Sequence, residues 1–117
     1  MASYSKSLLP LIILNQIERA DRAQEPVWGY RISDVVETQS AGRLRLNAGT
    51  LYPLLASLEN DGLLRSEWGE RKEGPRRKYF HITPKGRKVL EHEAESCEVL
   101  MSLALPQPVK RRTGTER

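Results

Sequence analysis

The stretch from Asn47 to Tyr79 constrains this chain more than any other segment. Asn47 is a residue type that caps helix N-termini, and Leu51, Leu54, Leu55 and Leu58 follow at i, i+3, i+4 and i+7, one apolar stripe of a helix. Gly62 stands where such a helix needs a left-handed residue to stop. Leu63 to Glu70 and Arg77 to Ile82 then read as strands, since Trp68, Tyr79, Phe80 and Ile82 favour extended backbone. Glu73-Gly74-Pro75 between them is turn chemistry. Pro53 falls late for a first-turn proline, so the helix is expected to begin near Gly49–Thr50.

The flanking segments read as further helices. Ser7 can cap one, with Pro10 as its third residue, where a missing N–H costs nothing. Leu8, Leu9, Leu11, Ile12, Ile13, Leu14 and Ile17 cover more than one face of it, as in a helix packed on two surfaces. Ala20 to Val27 is polar and ends in Pro26-Val27, so a loop is expected there. Gly29 to Ile32 opens a second helix, with Ile32, Val35 and Val36 on one face, and Ser40-Ala41-Gly42 closes it. Leu44 and Leu46 alternate with Arg45 on the way to Asn47. Thr83-Pro84 looks like an N-cap followed by proline at the first helical position, opening a last helix to about Ala104, before Pro106 and Pro108. The tail with Lys110 and Arg112 has no apolar residue after Val109 and is expected to be mobile.

With 117 residues, one domain is the expectation, and a hydrophobic fraction of 38% makes a dimer interface a useful addition to a modest core. The single cysteine, Cys97, excludes an internal disulfide framework. The longest apolar run, Leu8 to Leu14, is too short to span a bilayer and lacks the flanks of a signal peptide, so a cytoplasmic location is expected.

Charge is unevenly placed. Residues 71–88 hold eight Lys or Arg against one Glu, whereas residues 89–105 hold four Glu and no Lys or Arg. A basic block beside an acidic one suggests one face for a polyanion and another for something else. The basic block follows the capped helix directly. A helix N-terminus directs N–H groups and partial positive charge outward, and the amides and hydroxyls of Asn47, Thr50 and Tyr52 can bond phosphate oxygens or base edges. Gly49 allows close backbone approach. Arg71, Lys72, Arg76, Arg77 and Lys78 around one turn would neutralise several phosphates and make binding salt-dependent. Helix then basic hairpin is the outline of a winged helix-turn-helix.

Several blocks point to one family. Gly29-Tyr30, Leu44 to Leu46, Gly49 to Pro53, Leu58-Glu59, Asp61 to Leu63, Ser66 to Trp68, Gly74 to Tyr79 and Thr83 to Gly86 strongly resemble the PadR family of transcriptional regulators, over roughly Leu8 to Leu100. The resemblance implies a dimeric winged-helix DNA-binding protein, usually a repressor, of the small subfamily with a short C-terminal dimerisation helix. Gly49, Thr50 and Tyr52 match its recognition-helix block, and Arg76, Arg77 and Lys78 its wing. Ser57 stands where the family often has Arg or Lys, so the wing is expected to carry more of the affinity. The loop before Trp28 is longer than usual.

The last helix supports pairing of two copies. Leu90, Ala94, Cys97, Met101 and Ala104 fall at spacings of 4, 3, 4 and 3, an a/d seam that Val89, Leu100 and Leu103 widen. The same helix could instead pack on the chain's own first helix. Some small family members resembling this chain bind flat drugs between aromatics in the dimer interface. This helix carries no aromatic, so that mode is not expected, and a small-molecule effector stays open. Trp28 and Trp68 read as packing residues. Glu93, Glu95 and Glu98 oppose a thiolate at Cys97, which favours an inert thiol. His81, His92 and Cys97 lack metal-ligand spacing, no enzyme signature occurs, and no cofactor is expected.

The expectation is therefore a mostly α fold with a small β-hairpin: a winged helix-turn-helix over 1–83, a dimerisation helix over 84–105 and a basic tail over 106–117. Its function is expected to be regulation of transcription as a homodimer on a pseudo-palindromic duplex site, most simply as a repressor. The DNA-contacting set is Asn47, Gly49, Thr50, Tyr52, Ser57, Arg71, Lys72, Arg76, Arg77 and Lys78. The interface set is Leu90, Ala94, Cys97, Leu100, Met101 and Ala104. The competing expectation is a winged-helix module that binds a protein without reading DNA.

Overall fold

The structure, a computed structural model, describes residues 2–70 and 74–106. Its elements are α1 (Ala2–Ala23), β1 (Val27–Trp28), α2 (Gly29–Gln39), α3 (Ala48–Asn60), β2 (Leu64–Trp68), β3 (Lys78–Ile82) and α4 (Pro84–Ala104). The strands form one antiparallel sheet in the order β1-β3-β2. Leu64 faces Ile82 and Ser66 faces Phe80 across the hairpin, while Val27 faces Phe80 on the other edge. This is the expected mostly α winged helix, with β1 added to the hairpin.

The apolar spacing explains the packing. Ile13, Leu14 and Ile17 of α1 are buried at the centre, and α3 lays Leu51, Leu55 and Leu58 into the same core. Ile32 and Val36 of α2 and the inward Phe80 and Ile82 of β3 complete it. Each such side chain contributes about 1.5–3 kcal/mol by leaving water. Gly62 takes φ +81°, and the N–H groups of Gly62 and Leu63 donate to the carbonyls of Glu59 and Leu58, both at 3.0 Å. That pair of bonds stops α3 and turns the chain into β2. The Thr83 hydroxyl oxygen then accepts the Gly86 N–H at 2.9 Å and donates to the Gly62 carbonyl at 2.7 Å, joining the end of α3 to the start of α4.

Three sequence expectations are corrected. The first helix starts at Ala2 rather than after Ser7, so Pro10 lies inside it and cannot donate to the carbonyl one turn back. Much of Ala20–Val27 is not loop: α1 runs to Ala23, and Val27 enters β1. The polarity there belongs to the outer face of a helix whose inner face still buries Ile17 and Ala20 against the core. Gln24, at φ 57°, takes the left-handed role of a terminal glycine, and Glu25 N–H closes on the Ala20 carbonyl at 2.9 Å. Finally, α3 begins at Ala48, directly after its cap, and holds Pro53 inside.

One buried carboxylate anchors α4. Glu18 of α1 is 7% exposed and accepts from Arg22 Nε at 2.7 Å and Arg87 Nε at 3.0 Å. Burial alone would raise its pKa, but the hydrogen bonds and positive charges of Arg22 and Arg87 outweigh that and hold it below its ordinary value. Farther along, Val99, Leu100, Met101 and Leu103 stand exposed on α4. Among the described residues no helix is long and apolar enough to cross a membrane.

Candidate nucleic-acid interface

The outer side of α3 is small and neutral. Gly49, Thr50, Pro53, Ala56, Ser57 and Asn60 are all exposed. Asn47 Oδ1 accepts the Thr50 N–H at 2.9 Å, so the cap is already committed to the helix's own donor. Its remaining amide group and the Thr50 and Ser57 hydroxyls are the polar handles of this face. Tyr52 is half exposed, and its ring lies over Gly29 so closely that a Cβ there would come within 2.7 Å of Cε1. Only glycine at position 29 permits that approach, so Tyr52 also serves as the joint between α3 and α2.

The hairpin carries the charge, and aromatic rings sort it. The Arg77 guanidinium carbon lies 3.9 Å from the centre of the Trp28 ring. Arg76 lies 5.4 Å and the Lys78 ammonium 5.8 Å from the centre of the Trp68 ring. Trp28 meets Tyr79 edge to face at 5.9 Å. Trp68 is 56% exposed, which corrects its reading as a packing residue: an aromatic at the end of an edge strand has the sheet on one side only, and here cations cover it. Arg71 and Lys72 fall outside the described residues.

Polar bonds fix the hairpin to the helices. Glu59 of α3 accepts from the Ser66 hydroxyl at 2.6 Å and pairs with Lys78 at 3.9 Å. His81 of β3 sits between Asp21 of α1 and Glu67 of β2, each of its ring nitrogens 2.8 Å from a carboxylate oxygen, and Asp21 also accepts the Ile82 N–H at 2.8 Å. The sequence reading missed this tie because it placed Asp21 in a loop.

Other missed residues flank the same elements. Tyr30, 72% exposed, and Arg31 stand on the first turn of α2. Arg43 and Arg45 point outward while Leu44 and Leu46 turn in, and Arg45 pairs with Glu37 at 3.4 Å. Lys85 Nζ donates to the Asp61 carbonyl at 3.0 Å, beside the end of α3. The Leu-Arg alternation was the available signal for Arg43 and Arg45.

Of the expected interface residues, Leu90 is 8% exposed in the chain's own core. Cys97 is half-buried with a free thiol, and Ala94, Leu100, Met101 and Ala104 are exposed.

This winged-helix fold has counterparts among known proteins. Residues 20–92 match the family model described as the transcriptional regulator PadR-like family. The chain belongs to the PadR-like family. Among PadR-like and related structures, it is similar to a PadR-like transcription factor from Bacteroides fragilis, at 33% identity over 88% of this chain and 92% of that one, with a TM-score of 0.72. A transcriptional regulator from Clostridium thermocellum is 26% identical, covers 87% of this chain and 94% of its own, and has a TM-score of 0.74. The transcriptional regulator Rv3488 of Mycobacterium tuberculosis is 32% identical over 100 residues, 86% of this chain and 85% of its own length. The chain is thus a PadR-like, DNA-binding transcriptional regulator with a winged-helix fold.

Proposed function

We propose that this regulator acts as a homodimeric repressor on a pseudo-palindromic duplex site, reading bases with α3 and gripping backbone with the hairpin. The observation that carries this reading is the Glu59 link, which ties the neutral outer face of α3 to a hairpin armed with Arg76, Arg77 and Lys78. Hydroxyls and amides on a helix can discriminate base edges, and cations on a hairpin supply sequence-independent attraction to phosphate. Two such units about one helical turn apart would occupy successive major grooves on one face of the duplex.

Pairing is supported by α4. Val99, Leu100, Met101 and Leu103 are 56%, 56%, 42% and 79% exposed. Beside them Leu8, Leu11, Leu14, Val89 and Cys97 line an apolar groove of about 480 Å³ between α1 and α4. A second copy of α4 is the occupant that would cover both.

The test replaces Arg76 and Arg77 with Ala. Affinity is expected to fall about equally on all duplex sequences, and the salt slope to flatten by about 2, near one unit per phosphate contact. Unchanged binding across salt would remove the hairpin from the interface. Light scattering at micromolar concentration is expected to give the dimer mass, and a reporter gene downstream of a selected site gives the sign of regulation.

A further inference from the structure

Trp28 occupies a junction. It ends β1, stands opposite Tyr79 of β3 in the sheet register, and is the residue immediately before α2. Its neighbour Gly29 receives the ring of Tyr52 from α3. Its own ring carries the Arg77 guanidinium at 3.9 Å, the closest of the hairpin's four cation–ring contacts among the described residues. The Arg77 backbone is held as well, because its carbonyl accepts the Gly69 N–H at 2.7 Å. Arg77 is only half exposed, whereas Arg76 is exposed and lies farther from its ring.

We propose that Trp28 is a positioning residue for the nucleic-acid interface, fixing the Arg77 guanidinium relative to α2 and α3 so that it meets duplex phosphate as a pre-set planar donor. The proposal rests on the reading of this chain as a DNA binder and deepens it. A guanidinium stacked on an indole uses its flat face for the ring and keeps its in-plane N–H donors for a phosphate. A free arginine would lose rotamer freedom on docking; one already held by a ring and by its backbone loses less. The joint also explains geometry. A single dipeptide, Trp28-Gly29, holds the hairpin's central cation with one residue and the reading helix with the next. The spacing between backbone grip and base reading is thereby set inside one protomer. Lysine cannot replace arginine in this arrangement, because an ammonium has no flat face to stack and no fork of donors.

The experiment measures binding of the full chain to a mixed-sequence duplex of about 30 base pairs, long enough for two half-sites, by fluorescence anisotropy over a salt series. Thermal melts of each variant accompany it. Trp28→Leu is expected to weaken binding about fivefold, while Trp28→Phe keeps most of the affinity. Arg77→Lys is expected to behave like Trp28→Leu despite its retained charge. Trp28→Leu combined with Arg77→Ala should bind no more weakly than Arg77→Ala alone. The proposal is overturned if the two losses add, or if Arg77→Lys binds like the wild type. Should Trp28→Leu fail to fold, the same cycle is run with Trp28→Phe, whose smaller loss should vanish on the Arg77→Ala background; a loss that persists there overturns the proposal. A wild-type chain without salt-sensitive duplex binding would remove the DNA reading itself, and the proposal with it; additive losses on a wild type that does bind would remove the proposal alone.

Discussion

The outer face of α3 and the hairpin beside it are built on opposite plans. The exposed positions of α3 from Gly49 to Asn60 carry hydroxyl, amide, aromatic and small side chains, and its rigidity comes from Leu51, Leu55 and Leu58 locked in the core. The hairpin also roots Leu64, Phe80 and Ile82 in the core, but its outward side gathers cations, steadied by the rings of Trp28 and Trp68. Under the proposed function, this difference divides attraction from discrimination. Charge gathered on one element draws any duplex, and a neutral helix can then be sensitive to base edges without a strong pull of its own.

The largest expected effect breaks the division at its root. Leu55 is 1% exposed and lies under α3, so Leu55→Ala should cost about 3 kcal/mol of stability. Chemical denaturation measures this, and duplex binding by both regions should fall together as the platform loosens. A loss of discrimination with intact nonspecific binding would mean that the hairpin stands independently of the core.

A smaller effect tests whether the anchoring of α4 belongs to this shared platform. The Glu18 pKa is held below its ordinary value of 4.5, so its stabilising contribution is fully present above that pH and is lost as pH falls through the lowered folded value. Glu18→Gln should lower stability by about 1–2 kcal/mol at neutral pH, less than for a fully buried pair because Arg22 and Arg87 reach solvent. The difference between wild type and variant should shrink on acidification below pH 4.5, as read from denaturation midpoints. A constant difference across pH would place the effect in packing rather than charge. The smallest expected effect blurs the contrast from the helix side. Ser57→Lys puts a cation on the neutral face of α3, and should steepen the salt slope by about 1 while reducing the preference for one sequence over another.

Much of the fold was legible along the chain. Asn47, Gly62, Thr83 and Pro84 mark the ends of helices, and each acts where its type suggested. The leucines of α3 fell on the inner face that their spacing demanded. Pro10 and Pro53 misled, because both lie inside helices whose packing on the core outweighs the missing hydrogen bond. Asp21 misled too: a polar residue that bridges His81 and the Ile82 N–H looks, in sequence, like loop. The basic residues of the candidate interface were visible as a charge run, but their ring partners were not.

Sequence by itself determined what nearest neighbours decide: the Asn47 cap and Gly62 stop of α3, the Thr83-Pro84 start of α4, which stripe is apolar, and that a basic turn follows a capped helix. These depend on residues within a turn or two of each other, where a cap, a left-handed glycine or a repeat of leucines acts locally. Only the tertiary structure decided that Leu90 belongs to this chain's own core, that Trp68 is exposed beneath two cations, and that Trp28 reaches Arg77. Trp68 meets its cations when the hairpin closes on itself, whereas the Leu90 and Trp28 pairings join segments far apart in the chain. They form only once β1 has docked on β3 and the buried leucines have set the helices around the sheet, so no local pattern encodes them.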